Sequence, residues 1–369
     1  MPSRPSQSDH MAPSPLFYID RRRFLGSAAL LGALSVSGPS DARMPAEQAL
    51  EPDLPIIDCH HHLWSTPFRG LELEGPYLLP EITRDVSAGH NIRATVYVEA
   101  HNNHFTNGPI PLRPVGETVF ANAVAEQNAH SPQAARRICA GIISHTDMML
   151  GDAVEEVLIA HMEAAPARFR GIRHTVIPRE NGGTWEDRER LLLRPAFRAG
   201  LARLAKHELL FELMVLHSQL KDVIATVRTL PDVTFVLDHI GVPMGIGAFR
   251  GRRDEVFKTW MADLKTLGRE PNVHVKVGGM GMITSGLFGS AAAPPQGSSS
   301  LATILKPYYE HAIECFTPRR ALFESNFPPD SLSADYVTVW NALKIFSNQY
   351  GAAERAHMFH DNAVNLYRL

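Results

Sequence analysis

From Pro55 onward, short β-branched runs alternate with longer runs of helical period, and the alternation repeats eight times. Strand candidates cover residues 56–62, 94–101, 138–147, 171–177, 210–217, 234–240, 273–278 and 321–326. Amphipathic helical runs cover 116–130, 152–169, 195–207, 220–230, 256–267, 301–315 and 335–346. Such a rhythm predicts a parallel sheet with crossover helices, and eight units predict a single α/β domain, a (β/α)8 barrel over residues 54–369. A doubly wound sheet is the main rival. It calls for a glycine-rich turn after its first strand, and here histidines fill that turn. The glycine-rich stretch 241–251 follows the sixth strand and lacks the dinucleotide pattern, so it reads as a loop.

The turn that excludes the rival also carries chemistry. Ile56 and Ile57 suit a buried strand, and Asp58, His60 and His62 follow at a spacing of two, which puts them on one strand face. Paired imidazoles at a strand end can hold a metal or polarise a carbonyl. Packing alone gives little reason for three histidines in a row there. Cys59 alternates to the other face as a wall residue. In a barrel, the polar residues at the other strand ends converge on the same place. They are Glu99 and His101, His145 and Asp147, Arg173 and His174, His217, Asp238 and His239, Lys276, and Glu324 with Asn326. Of Asp238 and His239, one should face the interior and the other the helices, and His239 is expected inward as a ligand or acid/base. Lys276 sits in an apolar strand and needs a partner if buried, either a substrate anion or Glu99 or Glu324. With 18 histidines in the chain, a stray one is unremarkable, but their concentration at strand ends is informative.

The first 45 residues read as an address. Arg21-Arg22-Arg23-Phe24-Leu25 resembles a twin-arginine export signal, a short apolar run follows at residues 27–36, and small residues precede a cleavage position after Ala42. Export through the twin-arginine machinery to the periplasm is expected, with no stable membrane insertion after signal removal, because the apolar run is too short to span a bilayer. A formal charge of −3 and the lack of a basic stripe exclude nucleic acid as an expected partner and leave a small molecule. The three cysteines, Cys59, Cys139 and Cys315, form neither a disulfide framework nor a metal knuckle. Long connections at residues 102–115, 178–194 and 283–300 fall on the face where barrels build their sites, and the last has the composition of a mobile insert.

Several motifs, in order, resemble the amidohydrolase-related family 2, in its lactonase-like branch of metal-dependent TIM-barrel hydrolases. They are Asp58-x-His60-x-His62, Gly171-Ile172-Arg173-His174, the Asp238-His239-Ile240-Gly241 run, Lys276 with Gly278-Gly279, Glu324-Ser325-Asn326-Phe327-Pro328, and Asn362-Ala363. The resemblance implies a (β/α)8 fold and hydrolysis of small cyclic esters, with decarboxylases and hydratases among related branches. Some members of that family hold one divalent metal and others work with none. The first-strand pair corresponds to His60 and His62, and the sixth-strand histidine to His239.

One departure matters. The resemblance implies an aspartate closing strand eight, and Asn326 stands there instead. An amide cannot accept a proton at neutral pH, so Asn326 can orient water or donate to an oxyanion but cannot be the base. Glu324, two residues earlier on the same face, is expected to take that role. A zinc-type ion would draw on His60, His62 and either His217 or His239. The resemblance leaves open whether there is one divalent ion, zinc by donor type, or none. Arg173, His174 and Glu99 are the expected substrate contacts. The leading expectation is therefore a lactone-opening hydrolase. Its rivals are a metal-dependent decarboxylase or hydratase, and a ligand-binding barrel that no longer turns over.

Overall fold

The computed structural model of the protein describes residues 47–66, 73, 75–177, 190–288 and 297–369. The expected export signal, most of the connection at 178–194 and part of the one at 283–300 lie outside them. Eight strands, β1 (Pro55–His61), β2 (Asn91–Val98), β3 (Arg137–Ser144), β4 (Phe169–Arg173), β5 (Leu210–Leu213), β6 (Phe235–Leu237), β7 (Val273–Val277) and β8 (Ala321–Phe323), pair in chain order, every pair parallel. The backbone closes the ring. Asn326 N–H donates to the His60 carbonyl at 3.0 Å, and His62 N–H donates to the Phe327 carbonyl at 2.8 Å. The eight-unit barrel expected from the alternation is what forms.

Around the ring run α1 (Leu79–Val86), α2 (Val115–Ala129), α3 (Val154–Ala164), α4 (Pro195–Lys206), α5 (Leu220–Val227), α6 (Arg253–Leu267), α7 (Ser298–Phe316) and α8 (Tyr336–Ser347). Two short helices follow, α9 (Ala352–Ala356) and α10 (Asn362–Tyr367). Among the described residues, no helix is long and apolar enough to cross a membrane. The large core lies between strands and helices, with Trp260, Phe197, Phe211 and Phe316 fully buried. A second apolar cluster, of Ile57, Cys59, Val96, Val98, Val236 and Leu322, fills the barrel interior, and Tyr367 of α10 closes it from below. Its alternation along β2, with Ala94, Val96 and Val98 inside, follows the strand period of two.

Two expectations change here. The strands end earlier than the β-branched runs predict, because their polar tails leave the sheet as turns; His217, for example, opens a 3-10 turn, His217–Gln219. The second change is in β1. Its register against β2 slips between Asp58 and His61, so strict alternation fails there. Cys59 joins the interior cluster instead of the opposite wall, and His60 still points into the site. Asp58 does not share the histidine face. It turns outward and accepts hydrogen bonds from Ser325 N–H at 3.1 Å, the Ser325 hydroxyl at 2.7 Å and the Tyr336 hydroxyl at 2.9 Å.

Candidate active site

At the C-terminal ends of the strands, the side chains of His60, His62, Arg173, Asp238, His239, Lys276 and Glu324 meet, all of them buried. His239 reaches this point because its backbone is left-handed, with φ +51°. A histidine tolerates that conformation better than a branched residue, and at a site the strain is held by its surroundings. The turn aims Asp238 and His239 inward together, where a regular strand would have split them. Gly279 makes the room: a Cβ there would lie 2.0 Å from His239 Nδ1.

Glu324 stands between two imidazoles. Its Oε1 accepts a hydrogen bond from His239 Nδ1 at 2.7 Å. Its Oε2 lies 2.9 Å from His60 Nδ1, but the approach is misaligned and no hydrogen bond reaches that oxygen. The His60 ring has a cation at each nitrogen: Lys276 Nζ lies 3.1 Å from Nδ1, and Arg173 NH1 lies 3.3 Å from Nε2, which also faces His62 Nε2 at 3.2 Å. His62 in turn donates from Nδ1 to the Val98 carbonyl at 2.8 Å, leaving its Nε2 to accept. Burial first, and then the Lys276 charge, hold His60 well below the usual imidazole range. Burial and then Arg173 push His62 down to about 3. His239 goes the other way: burial opposes its charge, but the Glu324 carboxylate outweighs it and raises the ring.

Lys276 and Arg173 are spoken for. Lys276 Nζ donates to Glu212 Oε2 at 2.6 Å and lies 3.4 Å from Asp238 Oδ1, so neither of its expected partners, Glu99 and Glu324, bonds it directly. Glu212 also accepts the Tyr367 hydroxyl at 2.8 Å. Burial pushes Glu212 upward, against Lys276. Arg173 donates from Nε to Glu99 Oε1 at 2.7 Å and from NH2 to the Glu99 carbonyl at 2.6 Å, while its NH1 lies 3.3 Å from His60 Nε2 and 3.4 Å from Asp238 Oδ2.

The remaining expected residues divide. Asn326, also left-handed at φ +51°, donates from Nδ2 to Asp330 Oδ1 at 2.7 Å, and burial raises the Asp330 carboxyl to about 7. His174 lies one step out, its Nδ1 accepting from Met148 N–H at 3.2 Å. His217 does not join the histidine pair. Its Nδ1 accepts from Met244 N–H at 3.3 Å and its ring packs edge-on against Phe249. Sequence reasoning passed over Glu212, which gives the same signal as Lys276, a charge inside an apolar strand. It also passed over Asp330 and Tyr367, which have no local signal.

The donor set suits a divalent ion. One atom each from His60, His239 and Glu324 lie within 4.8 Å of one another, an imidazole–imidazole–carboxylate group of the kind that binds zinc and leaves room for water. The carboxylates of Glu99, Glu212, Asp238 and Glu324 outnumber the cations Arg173 and Lys276, so added positive charge, as protons or as a metal ion, is favoured. The set that converges is thus His60, His239 and Glu324, with His62 against His60, and not His60, His62 and His217.

Comparison with known proteins places this geometry. A family model described as amidohydrolase matches residues 57–369. An uncharacterized protein, y4mH, of Sinorhizobium fredii is 30% identical over 330 residues, covering 86% of this chain and 99% of its own. An L-fucono-1,5-lactonase of Burkholderia multivorans is 23% identical, covering 85% and 96%. The crystal structure of an amidohydrolase from Burkholderia multivorans with bound zinc superposes with a TM-score of 0.66 at 24% identity, covering 85% of this chain and 99% of that one.

Proposed function

On the premise that this chain belongs to the amidohydrolase family and is a hydrolase, we propose that it opens the ring of a small, oxygen-rich lactone with an activated water. The observation that carries this reading is the Glu324 carboxylate, wedged between His60 and His239 with one oxygen bonded and the other carrying a free lone pair. Two relatives named L-fucono-1,5-lactonase, at 23% and 25% identity, support a sugar-type lactone as the substrate class.

In this mechanism Glu324 Oε2 takes a proton from water as the water oxygen bonds to the lactone carbonyl carbon. His239 Nδ1–H holds Oε1, so the carboxylate cannot rotate away. The ring C–O bond then breaks, and Glu324 returns the proton to the departing alkoxide. Arg173, which keeps some exposure, receives the carbonyl oxygen, and the His62 Nε2 lone pair accepts from a substrate hydroxyl. Lys276, saturated by Glu212, Asp238 and His60, acts as a positioning residue that holds the His60 ring at Nδ1. A divalent ion, held by His60, His239 and Glu324, would acidify a water and polarise the carbonyl when bound. Residues 1–45 carry the mature enzyme to the periplasm in this reading, on the strength of Arg21-Arg22-Arg23-Phe24-Leu25. Retention of the Arg21→Lys, Arg22→Lys chain in the cytoplasm would be the expected result of cell fractionation.

The test is a panel of hydroxylated five- and six-membered lactones followed by pH-stat, with metal content and activity after chelation measured on the same preparation. Glu324→Gln should lose roughly 10²–10⁴-fold in kcat, the range for removing a general base. Full activity in that variant, or no turnover of any lactone by the wild type, refutes the proposal.

A further inference from the structure

A second cluster of donors lies on the far side of Arg173 from His60, and the mechanism above uses none of its imidazoles. Glu99 at the end of β2, His101 two residues on, and His145 just past β3 each offer a ligand atom within 4.8 Å of the others. We propose that these three side chains form a second divalent-metal site, at the rim of the barrel and separate from the His60–His239–Glu324 group.

Each donor is held in a way that suits a ligand. Glu99 gives Oε1 to Arg173, which leaves Oε2 facing His101, 3.6 Å from its Nδ1. His101 is turned back onto Glu99 by a left-handed backbone, φ +52°, and its own N–H donates to the same Oε2 at 3.2 Å. His145 donates from Nδ1 to the Arg173 carbonyl at 3.1 Å, so its Nε2 carries the lone pair. A carbonyl behind the non-ligating nitrogen is how proteins orient metal-binding histidines. The two rings meet edge-on, 4.4 Å between centroids. His104 supports them from outside, stacked nearly parallel on His145 at 6.3 Å and anchored by Glu117 Oε2 at 3.3 Å from its Nε2.

Ordinary packing does not ask for this arrangement. A salt bridge to Arg173 needs the carboxylate alone, and imidazoles gathered on its other oxygen add polar groups without adding apolar burial. Two imidazole nitrogens and one carboxylate oxygen form the donor set of open zinc sites, and the same set takes other first-row divalent ions. The His101 side chain is 32% exposed, so water reaches the cluster and can complete the coordination. Among the described residues, the negative charge of Glu99, shared with Arg173, is the one the ion would neutralise directly. The site should therefore bind more weakly than the inner one.

Titration with zinc, and separately with cobalt, tests this on the full-length protein in the presence of a chelator of micromolar affinity, which strips adventitious ions. The inner site is disabled by His60→Asn with His239→Asn, and that variant should still retain one equivalent of zinc. Adding His101→Ala should weaken the retained equivalent at least about tenfold, the lower end of what altering a metal site's support costs. His101 is partly exposed and this change should leave the fold intact, as circular dichroism checks. Bound cobalt should show visible absorption that His101→Ala and His145→Gln each abolish while Phe105→Ala does not. If the inner-site variant retains no metal against the chelator, or retains one equivalent that His101→Ala leaves unchanged, the rim site does not exist.

Discussion

Lys276 offers a severe test of the site's electrostatics. It is fully buried on β7, and Glu212 and Asp238, equally buried, lie 2.6 and 3.4 Å from its ammonium. Lys276→Met keeps most of the aliphatic stem and removes the charge. Glu212 and Asp238 then lose a cation in a place that water does not reach, and His60 loses the ammonium beside its Nδ1. Breaking a buried pair by removing one partner costs roughly 3–5 kcal/mol, because the surviving charge has no solvent to turn to. Asp238 keeps Arg173 and Glu212 keeps the Tyr367 hydroxyl, which places the expected cost at the lower end, about 3 kcal/mol. Equilibrium urea unfolding, followed by fluorescence and extrapolated linearly, measures it. The double variant Lys276→Met, Glu212→Gln removes the stranded carboxylate and keeps an acceptor for Tyr367. It should recover more than about 1 kcal/mol relative to Lys276→Met, since contacting residues couple by roughly 0.5–3 kcal/mol. A single variant within about 1 kcal/mol of the wild type, or a double variant no more stable than the single, would refute the reasoning.

Three further outcomes follow from local geometry. Asn326→Asp should not restore a lactonase base. It sets two carboxyls at the 2.7 Å contact with Asp330, so activity should fall, and the stability loss, on the order of 1–3 kcal/mol at pH 8, should shrink by pH 5 as the pair retains a proton that the unfolded chain releases. His90 accepts from Lys344 Nζ at 2.9 Å through Nδ1 and donates to the Val337 carbonyl through Nε2, and burial, then Lys344, hold it down to about 4. Its neutral form therefore stabilises the fold above pH 6.5, and that contribution, on the order of 3 kcal/mol, is lost as pH falls toward 4. His90→Gln should flatten the acid limb of urea midpoints by one proton, and an unchanged slope would count against this. Tyr367→Phe removes one donor from Glu212 without changing the ring packing below the barrel, and calorimetry should find a loss of about 1–3 kcal/mol, as for a buried acceptor left short.

The barrel was legible because eight strands with apolar interiors write their own period. The first strand-to-helix connection was not fully read: α1 is short and opens on Leu79-Pro80, and no long apolar stripe marks it. Within the site, His60, His239 and Glu324 could be picked out by their position at strand ends. What failed was the assumption of strict alternation. The register slip in β1 separates Asp58 from the histidines, and the left-handed turn at His239 brings Asp238 in beside its neighbour. The slip in β1 has no glycine or proline of its own to announce it, and the turn's Gly241, at φ +77°, comes two residues after His239. His217 failed for a related reason, since its strand stops at Leu213 and the residues beyond it curl outward. Asp330 and Tyr367 reach the site from later segments, and only the folded chain shows what they touch.

The seam between β8 and β1 has a consequence for how this enzyme comes to function. The amide hydrogen bonds that complete the cylinder come from Asn326 and His62 and end on His60 and Phe327, so the residues that zip the ring belong to the candidate site or adjoin it. An intermediate with seven strands paired and the last one loose would hold its core yet keep Glu324 away from both imidazoles. Turnover should therefore appear only with the final step of folding, and recovery of activity after dilution from urea should lag behind recovery of helical signal.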